Sequence, residues 1–233
     1  MDAKILQATD IVGGTFYLLS VSMIAASALF LLGTFWVAGR WKVSVALTGL
    51  VTIVAAAFYL YAQQIWVVSG QAAAIFRYVE WMITVPIQVV TLYFFIAAIA
   101  VVPVGVFWRL AVVSVLMMIA RFLGDAEYIN ITLGFLLGIV GWLYILGKIY
   151  FSRLSEICAK SGNEPVQLAY FWLRLIVTVG WAIYPLVGFI ANFAGGIDEA
   201  SLNVVYNLFD YVNKIAFGVA ILTAATRDSR LAK

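Results

Sequence analysis

The sequence predicts an all-α membrane protein, a bundle of seven transmembrane helices. Two observations carry this. Of 233 residues, 65% are hydrophobic and only 11% charged, with a mean hydropathy of +1.06; soluble domains carry about 25% charged residues. The apolar residues also gather into seven runs. Each reaches the roughly 20 residues that a hydrocarbon core about 30 Å thick requires of a helix. A chain of this length has room for seven spans with short loops and little else, so residues 1–233 read as one domain.

The first run covers 11–37 and ends before Gly39-Arg40. Its Ala25-Ala26-Ser27-Ala28 patch loosely resembles a signal cleavage site, but the leader holds only Lys4 as a basic residue and the apolar stretch is too long, so it reads as a span. The second covers 43–67 and stops at Ser69-Gly70. The third and fourth cover 72–98 and 103–122, the latter closed by Gly124-Asp125. The fifth covers 128–150 and is followed by the one longer loop, which contains Ser161-Gly162-Asn163. The sixth covers 166–193 before Gly195-Gly196, and the seventh covers 202–225.

The end of the bundle with the C-terminus holds Arg40, Lys42, Arg109, Lys148, Arg153, Lys160, Arg227, Arg230 and Lys233. The other end has Lys4 against Asp2, Asp10, Asp125, Glu127, Asp198 and Glu199. Basic residues stay cytoplasmic, so the N-terminus is expected outside and the C-terminus inside. The net charge of +3 is thus a topology signal, and no nucleic-acid partner is implied. There is no histidine, and Cys158 is the single cysteine. Those absences remove zinc spacings, nucleophilic triads and an intrachain disulfide, and the chain is not expected to be an enzyme.

Four ionisable residues fall deep inside the runs: Arg77 and Glu80 in the third, Asp210 and Lys214 in the seventh. Each costs at least about 2.5–3.5 kcal/mol near the bilayer centre, so each needs a reason. They sum to zero charge, as mutual pairing would require. Arg121 and Arg174 lie nearer span ends and are expected to snorkel. Asp125 and Glu127 are expected to be solvated at the surface.

Arg77, Glu80, Thr84, Gln88 and Thr91 fall on one helical face, a line about 21 Å long at 1.5 Å per residue. A polar stripe on an apolar helix faces the bundle interior. Interhelical hydrogen bonding would explain Thr84 or Thr91 alone; it does not explain Arg77 and Glu80. Asp210 and Lys214 stand one turn apart on one face. They form either a structural ion pair or the base of an imine between Lys214 and an aldehyde, with Asp210 and Glu80 as counterions. Trp81, Trp181 and Tyr184, the last followed by Pro185, lie too deep for an interfacial belt and fit a slot for a long conjugated ligand.

Three stretches now resemble a known family. The third run reads Arg77-Tyr78-Val79-Glu80-Trp81-Met82-Ile83-Thr84-Val85-Pro86, the sixth Gly180-Trp181-Ala182-Ile183-Tyr184-Pro185, and the seventh Tyr206-Asn207-Leu208-Phe209-Asp210-Tyr211-Val212-Asn213-Lys214. In that order they resemble the microbial rhodopsins, and the proteorhodopsin branch in particular. The resemblance covers essentially the whole chain. It implies all-trans retinal bound to Lys214 as a protonated Schiff base, with the polyene between Trp81 and Trp181 and with Tyr184 and Pro185 beside it. It implies Glu80 as counterion and proton acceptor, Asp210 as second counterion, Arg77 as extracellular gate, and Thr84 as a hydrogen-bond partner of the counterion. Gln88 matches a colour-tuning position, where glutamine accompanies blue absorption. It further implies a multi-pass protein of the cell's inner (plasma) membrane that assembles as a pentamer or trimer.

The chain departs from the pattern at three positions. Glu80 stands where most pumps have aspartate, and its extra methylene moves the carboxylate by up to about 1.5 Å. Phe58 stands where proteorhodopsins have a histidine partner of the acceptor. Thr91 stands at the cytoplasmic donor position, and a hydroxyl cannot supply a proton near neutral pH. No other carboxylate is expected in the cytoplasmic half of any span. The resemblance therefore implies a light-driven outward proton pump with slow reprotonation; the alternative is a photosensor or slow photoswitch working through a separate transducer.

Overall fold

The computed structural model describes residues 5–71 and 74–231. Asp2, Lys4 and Lys233, which enter the charge bias, and Ala72, where the third run begins, lie outside them. Among the described residues, seven helical stretches are long and apolar enough to cross a membrane.

Helix α1, Ile11–Gly33, opens on Asp10, whose side chain accepts from Gly13 N at 2.8 Å. A short 3-10 turn, Gly39–Trp41, leads into α2, Lys42–Ser69. Helix α3, Ala74–Ala97, carries Pro86 in its interior. Helix α4, Val104–Asp125, follows Pro103, which suits a helix start because it needs no N–H partner there. Helix α5, Ile131–Phe151, is capped by Asn130, which accepts from Thr132 N and Leu133 N. A short α6, Arg153–Lys160, precedes α7, Glu164–Leu175, which Asn163 caps. A π-turn, Ile176–Gly180, joins α7 to α8, Trp181–Phe193. The last helix, α9, runs over Glu199–Leu231. Just before it, Asp198 accepts from Ser201 N at 2.9 Å, and the hydrogen bonds from Ser201 hold its carboxyl below the usual range.

The helices close into a ring. Helix α1 packs on α2, α2 on α3, α3 on α4, α4 on α5, α5 on α7, and α7 on α9, which returns to α1 and α2. Leu18, Leu32, Ile53, Val112, Leu136, Val140, Leu186 and Val212 are exposed on the outside. In water such a surface would aggregate; in hydrocarbon it is the solvated face. The polar stripe is turned the other way: Arg77, Glu80, Thr84, Gln88 and Thr91 are all buried. Helices α4 and α5 meet where Gly124 and Gly134 face each other, so close that a Cβ on Gly134 would stand 2.6 Å from the Gly124 Cα.

Three expectations need correction. The stretch expected as the longer loop is largely helix: Ser152 breaks α5 and caps α6 through Leu154 N. The last helix runs past Ala225 to Leu231 because Asp228 and Ser229 are buried and bonded rather than solvated. Arg174 does not snorkel. Its guanidinium carbon lies over the rings of Tyr150 (4.9 Å) and Tyr170 (5.2 Å), a cation–π seat inside the protein.

Candidate functional site

The site is assembled from the inward faces of α2, α3, α8 and α9. Lys214 sits midway along α9 with its side chain only 3% exposed. Its Nζ lies 2.9 Å from Asp210 Oδ2, one turn earlier, and 3.3 Å from Glu80 Oε1 on α3. The two carboxylates are held very differently. Asp210 accepts from the Tyr59 hydroxyl on α2, from Trp81 Nε1 at 3.2 Å and from the Tyr184 hydroxyl at 2.5 Å. Both Glu80 oxygens are buried without a hydrogen-bond partner. The Thr84 hydroxyl, one turn on, donates to the Glu80 main-chain carbonyl at 3.0 Å.

Arg77 is buried near this pair, but its guanidinium makes no ion pair with either carboxylate. Its Nη2 donates to Asn203 Oδ1 (2.9 Å) and Asn207 Oδ1 (3.1 Å). The rings of Phe58 and Tyr206 lie 5.4 and 5.5 Å from its guanidinium carbon, so Phe58 packs against the arginine. Amides and π faces thus hold this cation, and Lys214 is the cation in direct ion-pair contact with the two carboxylates.

A cavity leads away from Lys214. Trp81 and Gln88 line it from α3, and Trp181, Tyr184 and Pro185 from α8. Every cavity residue anticipated from the sequence therefore borders one space. Trp81 meets Tyr184 edge-on at 5.2 Å, and Tyr184 stacks on Tyr206 at 5.9 Å. The wall is fixed from behind by the π-turn, whose frame frees carbonyls that side chains take up. Trp142 Nε1 donates to Val177 O at 2.9 Å, and Asn213 Nδ2 donates to Gly180 O at 3.0 Å. Pro185 has no N–H for the Trp181 carbonyl, which loosens the same stretch.

Thr91 is fully buried, and its hydroxyl donates to Ile87 O at 2.6 Å. It stands 11 residues beyond Glu80, about 16 Å along α3. The expectation that no further carboxylate lies in that half of the bundle is corrected by Asp228. It is buried inside the last span, 14 residues or about 21 Å beyond Lys214. Arg40 Nη2 and Trp41 Nε1 each donate to it at 2.6 Å, and Asn163 Nδ2 at 2.5 Å. An ion-paired carboxylate with three donors has no proton to give.

Two further corrections concern the opposite end. Arg121 turns inward: it borders the cavity and pairs with Asp125 at 2.8 Å. Asp125 is accordingly half-buried rather than solvated, and it also accepts from the Tyr78 hydroxyl. Sequence reasoning missed Tyr59, Asn203, Asn207, Asn213 and this pair. Asn203, Asn207, Asp210 and Lys214 form a polar line on α9 as regular as the one on α3, and Arg121 and Asp125 are spaced i, i+4. Tyr59 had no such signal.

Comparison with known proteins bears on the family and the fold. The model of the bacteriorhodopsin-like protein family matches residues 11–227. The blue-light absorbing proteorhodopsin of Gamma-proteobacterium Hot 75m4 is 36% identical over 227 residues, covering 96% of this chain and 90% of that protein. The green-light absorbing proteorhodopsin of Gamma-proteobacterium EBAC31A08 is 32% identical over the same shares. The crystal structure of the blue light-absorbing proteorhodopsin from Med12 superposes with a TM-score of 0.79 at 38% identity, covering 94% of this chain and all of that one. With seven helices in a ring, a buried lysine between two carboxylates and a match over nearly its whole length, the chain belongs to the bacteriorhodopsin-like protein family.

Proposed function

We propose that the chain binds all-trans retinal as a protonated Schiff base at Lys214 and is a light-driven outward proton pump. The observation that carries this is the inequality of the two carboxylates around Lys214: Asp210 is locked by three further donors, whereas Glu80 is buried and its carboxylate is paired with Lys214, at 3.3 Å, without a set of donors like that on Asp210. The cavity fits the chromophore, since a buried amine opens into an aromatic-walled space. When bound there, retinal would supply light absorption and the imine proton.

The residues divide the remaining work. Asp210 keeps its negative charge, because protonating it would waste three donated hydrogen bonds. Glu80 accepts none of these three bonds and has less to lose, so it is the group that takes a proton and returns to the ionised form. Arg77, held by Asn203 and Asn207, stands as a fixed cation on the side away from Thr91 and discourages the proton from returning. Trp81, Trp181, Tyr184 and Pro185, which line the cavity, would hold the polyene; Gln88, from the same lining, would present an amide to it and favour blue absorption. The bias of basic residues supports an orientation with the Glu80–Arg77 side toward the exterior.

Illumination of cells carrying the holoprotein should acidify the medium, and an uncoupler should abolish the change. Absence of acidification, with pigment present, would refute the pump. A photosensor is the second reading, and Thr91 is what favours it. Without a carboxylate there, reprotonation relies on water, and the long-lived state that results suits signalling.

A further inference from the structure

The chromophore cavity crosses the bundle, and its far end carries a charge. Helix α9, which bears Lys214, packs on α1, α2 and α7, whereas α4 packs on α3 and α5 on the opposite side of the ring. Arg121 of α4 lines the same cavity as Lys214. Three elements build its seat. Its guanidinium carbon lies 5.3 Å from the Phe135 ring centre on α5. Its Nη2 rests against Gly188 on α8, where a Cβ would stand 2.6 Å away and push the guanidinium aside. Its Nη1 meets Asp125 Oδ1 at 2.8 Å. Asp125 is tied in turn to Tyr78, another cavity residue, and has Asn192 Nδ2 within 3.5 Å.

We propose that Arg121 is a wavelength-determining residue: a fixed cation at the end of the cavity remote from Lys214, partly offset by Asp125. A protonated polyene imine holds its positive charge near the nitrogen in the dark and shifts it along the chain on absorbing light. A cation at the receiving end opposes that shift, raises the transition energy and moves absorption to the blue. The neighbouring carboxylate works in the other direction. The low dielectric of the interior lets both act over several ångströms. This acts independently of Gln88, which faces the polyene from α3.

The inference rests on retinal binding at Lys214, and the test separates the two. Holoprotein is formed with all-trans retinal, and the visible absorption band is recorded for wild type, K214A, R121Q, R121K and D125N. R121Q should shift the band to the red, on the order of 10 nm for a unit charge acting through an effective dielectric near 20. D125N should shift it to the blue, and R121K, which keeps the charge, should shift it least. An R121Q band that stays in place or moves to the blue overturns the role of Arg121. A D125N band that stays or moves to the red overturns the offset assigned to Asp125. If R121Q forms no pigment, R121K and D125N decide: a red-shifted D125N or an R121K shift larger than that of D125N overturns the proposal. No visible band in wild type, or one retained in K214A, overturns retinal binding at Lys214 instead.

Discussion

At the scale of single residues, Asp210 and Glu80 flank one lysine and differ most in what else touches them. Tyr59, Trp81 and Tyr184 all spend their donors on Asp210. Removing one, as in Y59F or Y184F, should cost about 1.5–3 kcal/mol, the worth of a hydrogen bond to a charged group. Thermal denaturation of the holoprotein measures this. The E80Q variant should retain pigment and lose light-driven acidification by at least about tenfold, since an amide cannot take up the proton. Undiminished transport by E80Q would move the acceptor elsewhere. Much of this pair was legible beforehand, because an ionisable group in an apolar run advertises itself. What the sequence hid was the division of labour. Tyr59 sits in an apolar stretch of α2 and carries no charge, so nothing in its neighbours distinguishes it from a packing residue.

At the scale of elements, the sixth span is a composite of α7, the π-turn and α8. The π-turn releases the Val177 and Gly180 carbonyls to Trp142 and Asn213, which fixes the cavity wall between α5 and α9. A Cβ on Gly180 would collide with the Asn213 side chain. G180A should therefore destabilise the holoprotein by about 1–3 kcal/mol and speed thermal bleaching. Apolar periodicity revealed the span but not its irregular middle, because a π-turn leaves no residue-type signature. The last helix ended too early in the sequence reading for a similar reason. Hydropathy falls at Arg227 and Asp228, yet Asp228 is buried by partners distant in the chain. On α3 the sequence was sufficient: the five-residue polar stripe is buried along its full length. Placing a carboxylate at its last member, T91D, should accelerate recovery after a flash, and an unchanged rate would show that Thr91 does not lie on the proton's path.

At the scale of the whole molecule, the two halves of the bundle are furnished unequally. On one side of Lys214 lie Glu80, Arg77, Asn203 and Asn207. On the other lie Thr91 and then Asp228, whose carboxylate joins the 3-10 turn before α2, the start of α7 and the end of α9. That carboxylate is a clamp rather than a donor. D228A should lower stability by about 2–3 kcal/mol while leaving the recovery rate unchanged. This inequality is the centre of the account, and the recovery of wild-type holoprotein after a light flash tests it most directly. If protons reach the imine only through water from the Thr91 side, the recovery rate should fall in proportion to proton concentration as pH rises. Millisecond recovery that is independent of pH would contradict the account, because it would require an internal proton donor on that side.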